Sequence, residues 1–312
     1  MAFNSSRLPR SFCQVMYPVV NYSDPSRTTN NQMRLAASVV TALLAPMTVA
    51  GNAFILAAIW RNPSLRTPSY VLLAGLAITD FSTGLISQPF FAVYKVGEII
   101  GNRMMHCVGG FVSGCAGFYF SSLTFVTITM IAVERWLYMS RRSLLTARRV
   151  VILYGTFAVV LMILAIGRMY NFLFPIQVYN TFQIIFMLSA GLCFILAAFA
   201  YFKVFQIIRH HQNQVQTNES AINMQKYMKS IFTILYILAI FFLSYVPFLG
   251  CVVVFNIYRY PHYGGIITSC SAVVFTSSFF SPLLYYCRIK EIKDSVNSVI
   301  RKLFCKESEA GS

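Results

Sequence analysis

The 312-residue chain is 57% hydrophobic and 11% charged, against about 25% charged in an ordinary soluble domain. So little charge cannot cover so much apolar surface in water, which excludes a soluble all-α bundle. The net charge of +16 does not argue for nucleic acid, because the basic residues stand beside apolar stretches, where anionic lipid and the orientation rule account for them.

Taken in chain order, residues 1–33 form a polar tail with glycosylation sequons at Asn4-Ser5-Ser6 and Asn21-Tyr22-Ser23. Met1–Val20 mixes Arg7, Pro9, Arg10 and Gln14 with short apolar pieces, so no cleavable signal peptide is expected. Nearly uncharged stretches then begin near Leu35, Tyr70, Cys107, Val150, Phe182, Ile231 and Tyr263. About 20 residues at 1.5 Å rise cross a hydrocarbon core of about 30 Å. The expectation is an all-α membrane protein, with a seven-helix transmembrane bundle over residues 34–287 as its single domain. The links are Arg61–Pro68, Lys95–His106, Arg141–Arg149, Arg168–Thr181, Arg209–Gln225 and Arg259–His262. After the seventh span, residues 288–312 hold a short amphipathic helix and a tail. Ile289, Ile292, Val296, Val299, Ile300 and Leu303 share one helical face there, a pattern suited to lying on the inner membrane surface. Cys305 at its end is a palmitoylation candidate.

Seven spans put the termini on opposite sides. The links after the first, third and fifth spans, with the C-terminal tail, carry 17 of the 25 basic residues. That side is therefore cytoplasmic and the N-terminus lies outside, with the sequons on the side where glycosylation occurs. The eight cysteines form no Cys-x-x-Cys pair, so zinc and redox motifs lack support.

Ionisable residues inside a span are costly and mark function by default. Asp80 stands about ten residues into the second stretch without a basic residue beside it; protonation, a polar network or a bound cation are its options. Asn52, Thr124, Ser277 and Ser281 are the polar groups available to surround it. Glu134-Arg135 ends the third span on the inner side, where adjacent opposite charges can pair and later release. Pro247 and Pro282 interrupt the sixth and seventh spans, each removing a backbone hydrogen bond.

Read together, these residues resemble the rhodopsin-like, or class A, G-protein-coupled receptors over about residues 35–305, in divergent form. Gly51-Asn52 is similar to the family's first-span pair, and Leu76-Ala77-Ile78-Thr79-Asp80 to its second-span Leu-Ala-x-x-Asp. Ile131-Ala132-Val133 leads into Glu134-Arg135-Trp136, which resembles Asp/Glu-Arg-Tyr. Ser244-Tyr245-Val246-Pro247 resembles an altered Cys-Trp-x-Pro, and Ser281-Pro282-Leu283-Leu284-Tyr285 an altered Asn-Pro-x-x-Tyr.

The resemblance implies that Arg135, Tyr201 and Tyr285 rearrange on activation, with Glu134, Tyr245, Pro247 and Pro282 in the same machinery. It implies a heterotrimeric G protein at the inner ends of spans three, five and six, with arrestin a further partner. It also implies an allosteric sodium ion near Asp80 and no other cofactor. Departures accompany it. Tyr154-Gly155 stands where the fourth-span Trp is expected, no proline lies near Cys193, and Ser281 removes an amide from the sodium network. The family's outer disulfide is not matched, since Cys107 falls about one turn early and Arg168–Thr181 contains no cysteine; a Cys13–Cys107 bridge stays open. The short second outer loop without cysteine resembles the melanocortin and lipid-receptor branches, and Arg66-Thr67-Pro68-Ser69-Tyr70 resembles olfactory receptors.

Counting from Arg135 and Pro282 puts Gly117 where amine receptors carry aspartate and Phe275 where opsins carry the retinal lysine. Amine receptors and opsins are thereby disfavoured. The outer half offers Phe118, Tyr119, Ser121, Phe248, Val252, Phe255, Ile267 and Ser271 as the lining for an extracellular ligand. Lys95 and Glu98 on the first outer loop and Arg259 on the third could meet a polar end. The ligand class stays open among lipid, small molecule, peptide and odorant. A membrane enzyme is not expected, because His106, His210, His211 and His262 are scattered without carboxylate partners. A membrane transporter is the alternative, although no internal repeat supports it. The expected place of work is the plasma membrane.

Overall fold

A computed structural model describes residues 27–140, 146–173, 179–212, 235–236, 238–254 and 264–310. Eight helices carry the fold. Helix α1 is Arg27–Arg61; α2 is Pro68–Ile100, α3 Arg103–Met139 and α4 Ala147–Leu173. Helix α5 is Tyr179–Gln212, α6 Leu238–Val254, α7 Gly264–Arg288 and α8 Lys290–Ala310. Six of them are long and apolar enough to cross a membrane, and α6 is the shorter apolar helix of the set. With α6 they form the seven-helix bundle.

Local chemistry sets the boundaries. Asn62 ends the α1 turn, its Oδ1 accepting from the Ser64 amide at 3.1 Å, and Pro68 opens α2 at the first-turn position that needs no amide hydrogen. The first outer connection is far shorter than the polar run Lys95–His106 suggests. Helix α2 continues to Ile100, Gly101 caps it at φ 73°, and Asn102 caps α3 by accepting from the Met105 amide at 3.1 Å. A left-handed residue followed by an N-cap closes the turn at once, which places Lys95 and Glu98 on a helix and not in a loop. Likewise α4 runs through Arg168 to Leu173, so the second outer link is shorter than Arg168–Thr181.

Where helices meet closely, glycine makes room. A Cβ on Gly109 would sit 2.6 Å from the Tyr94 backbone nitrogen, and one on Gly51 would sit 3.0 Å from Pro282 Cγ. A Cβ on Gly75 would stand 3.0 Å from the Tyr154 ring, whose hydroxyl donates to the Gly75 carbonyl at 3.1 Å. Tyr154 therefore fills the fourth-span place expected for Trp with its ring packed against a glycine. Ile55, Leu72, Leu76, Ile128, Ala132 and Tyr285 belong to one buried core. Leu43, Ile163, Leu188, Ile195 and Leu243 instead face outward, as a hydrocarbon solvent permits. Helix α8 buries Ile292, Val296 and Val299, and Ser295 accepts from Asn62 Nδ2 at 2.9 Å. Its amphipathic face packs on the bundle.

Candidate functional site

Three places in the bundle gather the residues of interest. The first is a cavity of about 310 Å³ between α2, α3, α4, α5, α6 and α7. Among the lining residues expected from sequence, Phe118, Ser121, Phe248, Val252 and Ser271 face it. Tyr119 does not, because it lies off the helical face shared by Phe118 and Ser121 at i, i+3; its ring meets Phe120 instead, centroids 5.3 Å apart. Ile267 stands one turn beyond Ser271, above the lining. Phe255 and Arg259 lie outside the described residues.

Several lining residues went unrecognised in the sequence. His106, Gly110, Ser113, Gly114 and Gly117 line the cavity from α3, in continuous helical spacing with Phe118 and Ser121, so the stripe was legible there. A Cβ on Gly114 or Gly117 would meet nothing within 4 Å, which shows that these glycines leave the cavity its width. Gly117 and Phe275, the two positions that disfavoured amines and retinal, both line it. Phe275 meets Phe91 edge-on at 5.1 Å. Phe186 and Met187 come from α5 and Arg168 from α4, with the Arg168 guanidinium 4.9 Å from the Phe118 ring centre.

Lys95 and Glu98 are absent from the lining, contrary to the expectation that they meet a ligand's polar end. Glu98 pairs with Arg34 at 2.9 Å and with Lys95 at 3.0 Å. The carboxylate is thus held between two cations of α1 and α2, beside the Asn30–Gly265 bond of 3.1 Å that ties α1 to α7. Cys107 is disulfide-bonded; Cys13, Asn4 and Asn21 lie outside the described residues, as does the Cys305 side chain.

The second place surrounds Asp80, which is fully buried. Neither carboxylate oxygen has a hydrogen-bond partner among the described residues, and Asn52 Oδ1 also has none. The Asn52 amide does not serve Asp80. Its Nδ2 donates to the carbonyls of Thr48 at 2.9 Å and Ser278 at 3.2 Å, so no Asn52–Asp80 hydrogen bond is formed. Ser278 and Ser281 are the hydroxyls beside the carboxylate. Ser281 Oγ is directed to the Ser277 carbonyl at 3.0 Å and Ser277 Oγ to that of Val274 at 2.6 Å. Thr124 is buried on α3. Sequence reasoning missed Ser278, which sits one turn before Pro282 and next to the recognised Ser277. Carboxylate and amide oxygens of this kind are hard donors, the type that suits an alkali cation. Just beyond Asp80, α2 passes through a π-helical turn at Thr83–Ser87, a distortion common near functional residues.

The third place is the inner end of α3. Glu134 is buried and accepts from Ser69 Oγ at 2.9 Å, with its other oxygen 3.6 Å from Arg135 Nε. Tyr201 is buried nearby on α5, Tyr285 is buried on α7 on the side of Asp80 and Ser281, and neither hydroxyl has a partner among the described residues. Tyr245 links this region to the cavity. Its hydroxyl donates to Ser121 at 3.2 Å, and its ring stacks on Phe241 and meets Phe125 edge-on at 4.7 Å. Pro282 is buried against Gly51, whereas Pro247 is exposed on α6.

Comparison with known proteins places these features in a family. The model of the family described as 7 transmembrane receptor (rhodopsin family) matches residues 51–285. Bovine adenosine receptor A3 is 21% identical over 300 residues, covering 87% of this chain and 92% of that protein. The human histamine H2 receptor is 38% identical over 63 residues, 20% of this chain and 18% of that receptor. The crystal structure of squid rhodopsin superposes with a TM-score of 0.71 at 13% identity, covering 88% of this chain and 87% of that one, a likeness of fold. Nearness to the melanocortin, lipid-receptor or olfactory branches stays an expectation.

Proposed function

Because the chain belongs to the rhodopsin family of seven-transmembrane receptors, we propose that it takes a ligand in the cavity beneath Arg168 and Phe91 and activates a heterotrimeric G protein at the Glu134–Arg135 end. In this reading it is a multi-pass plasma-membrane protein with its N-terminus outside, and arrestin binds the same inner face. Tyr245 carries the proposal. A ligand that displaces Ser121 also moves a hydroxyl bonded to it at 3.2 Å and a ring stacked on Phe241, and so shifts α6 against α3. Population of the shifted state follows from the ligand's differential affinity for it. At the inner end, breaking the 3.6 Å ion pair frees Arg135, while the phenols of Tyr201 and Tyr285, which have no partner among the described residues, gain one. A buried hydroxyl without a partner costs about 1–3 kcal/mol, so such a rearrangement has a source of free energy. A sodium ion on Asp80, Asn52 and Ser281 would hold the resting arrangement by neutralising the buried carboxylate.

The deciding experiment is nucleotide exchange on purified G proteins by the chain in lipid nanodiscs, screened against lipid, nucleoside, peptide and odorant libraries. Agonist-dependent exchange that Arg135→Ala abolishes at unchanged surface expression supports the proposal. Solute flux without exchange would favour a transporter.

A further inference from the structure

Helices α6 and α7 carry a pair of thiols beside the cavity. Cys251 and Cys270 are free and half-buried, and their sulfurs lie 3.6 Å apart. Of the five free cysteines described, these two alone bring their sulfurs together. Each is next in sequence to a residue that lines the cavity, Val252 on α6 and Ser271 on α7. Cys251 stands one helical turn beyond Pro247, and Cys270 lies in the second turn of α7. A cysteine packs well as a small apolar filler, which accounts for either residue singly. Packing does not require two sulfurs to meet from different helices. The S–S bond of a disulfide is about 2.05 Å, so the sulfurs need to close by about 1.5 Å, a distance that side-chain rotation and a small helix shift supply.

We propose that Cys251 and Cys270 form a redox site, at which a hydroperoxide closes a disulfide that clamps α6 to α7 beside the cavity and a small thiol reopens it. One sulfur attacks an oxygen of the hydroperoxide and the O–O bond breaks. That sulfur becomes a sulfenic acid, and the alcohol, or water from hydrogen peroxide, leaves with the thiol's proton. The partner sulfur then attacks the sulfenic sulfur, so the S–S bond forms, the S–O bond breaks and water leaves. The pair loses two electrons and the peroxide gains them. Reopening oxidises two molecules of the reducing thiol to their own disulfide. A partner sulfur already at 3.6 Å captures the sulfenic acid within the molecule, ahead of a second peroxide. Hydroperoxides are small and neutral, which lets them reach a half-buried pair in an apolar wall. Val252 and Ser271 move with the sulfurs, so closure narrows the cavity between α6 and α7. The site needs neither ligand nor G protein, and so goes beyond the receptor reading.

The test uses the full-length protein in nanodiscs, reduced with dithiothreitol, desalted and exposed to hydrogen peroxide or cumene hydroperoxide. Mass spectrometry of an unreduced digest is expected to show the Cys251 and Cys270 peptides joined, two hydrogens lighter than their sum. Dithiothreitol should separate them again. Closing a loop over residues 251–270 constrains the unfolded chain, so the oxidised protein should melt about 3–8 °C higher. Cys251→Ser and Cys270→Ser should each lose both the link and the rise, whereas Cys287→Ser at the far end of α7 should keep them. Where a serine variant fails to fold, wild type alkylated with N-ethylmaleimide before the peroxide makes the same comparison and should show neither. Peroxide that leaves the two peptides unjoined, carries either cysteine on to sulfinic acid, or joins one of them to a different cysteine overturns the proposal. A link that leaves the melting temperature unchanged overturns the clamp. None of these outcomes depends on nucleotide exchange, so failure here and failure of the receptor reading are told apart.

Discussion

Removing the Tyr245 hydroxyl isolates the contact that joins the cavity to the inner half. In Tyr245→Phe the ring keeps its stack on Phe241 at 5.7 Å and its edge contact with Phe125 at 4.7 Å, and only the 3.2 Å bond to Ser121 is lost. A bond of that length between neutral hydroxyls is worth about 0.5–1 kcal/mol net, or roughly a two- to fivefold change in an equilibrium. For a chain of this size that lowers the melting temperature by about 1–3 °C. Tyr245→Ala also removes a buried aromatic ring, worth about 3–5 kcal/mol, and should be several times more harmful. The assay is thermal unfolding of purified receptor for Tyr245→Phe, Ser121→Ala and the double variant. If the bond exists, the double variant is less harmful than the sum of the singles by about the bond's worth. Strict additivity, or Tyr245→Phe as damaging as Tyr245→Ala, refutes the reasoning. With an agonist in hand, the same variants should also change basal nucleotide exchange by no more than about fivefold.

Further expectations concern the remaining contacts. Gly109→Ala, whose Cβ would lie 2.6 Å from the Tyr94 backbone, should cost at least about 1–3 kcal/mol of stability, whereas Gly114→Ala, with nothing within 4 Å, should leave the melting temperature within error. Glu134→Gln removes the charge that holds Arg135 at 3.6 Å and should raise ligand-independent exchange, whereas Ser69→Ala should raise it less; unchanged basal exchange in Glu134→Gln would contradict the pairing role. Asp80→Asn should abolish any dependence of melting temperature on sodium against choline, with Asn52→Leu weakening it; sodium dependence that survives in Asp80→Asn argues against the site. Cys251 and Cys270 hold their sulfurs 3.6 Å apart on α6 and α7, so copper-phenanthroline oxidation should join them. Mass spectrometry would detect the link, and the joined receptor should lose agonist-dependent exchange if α6 moves relative to α7.

Many of the candidate functional residues were legible because charge and proline inside hydrocarbon are expensive wherever they occur. Asp80, Glu134, Arg135 and Pro282 stood out on composition alone, and their order along the chain carried the family resemblance. The cavity was harder to read. Tyr119 and Phe118 are equally aromatic, and only the helical phase of α3 turns one inward. Arg168 looked like a loop residue, because a cation after an apolar run reads as the end of a span. Lys95 and Glu98 looked available to a ligand until Arg34, 64 residues away from Glu98 in the chain, was seen to pair with the carboxylate at 2.9 Å. Tyr154 read as a mere departure until Gly75 was found beneath its ring.

The sequence by itself determined that this chain crosses a membrane through a helical bundle and to which superfamily its ordered motifs point. Those properties follow from hydrophobic length, charge and local spacing, which act within one segment at a time. Only the tertiary structure decided which side chains line the cavity, which ion pair takes up Glu98, and which buried oxygens around Asp80 lack donors among the described residues. These depend on the rotation and depth of one helix against another, set by close contacts such as Gly51 on Pro282 and Gly109 on Tyr94, and no single segment encodes them.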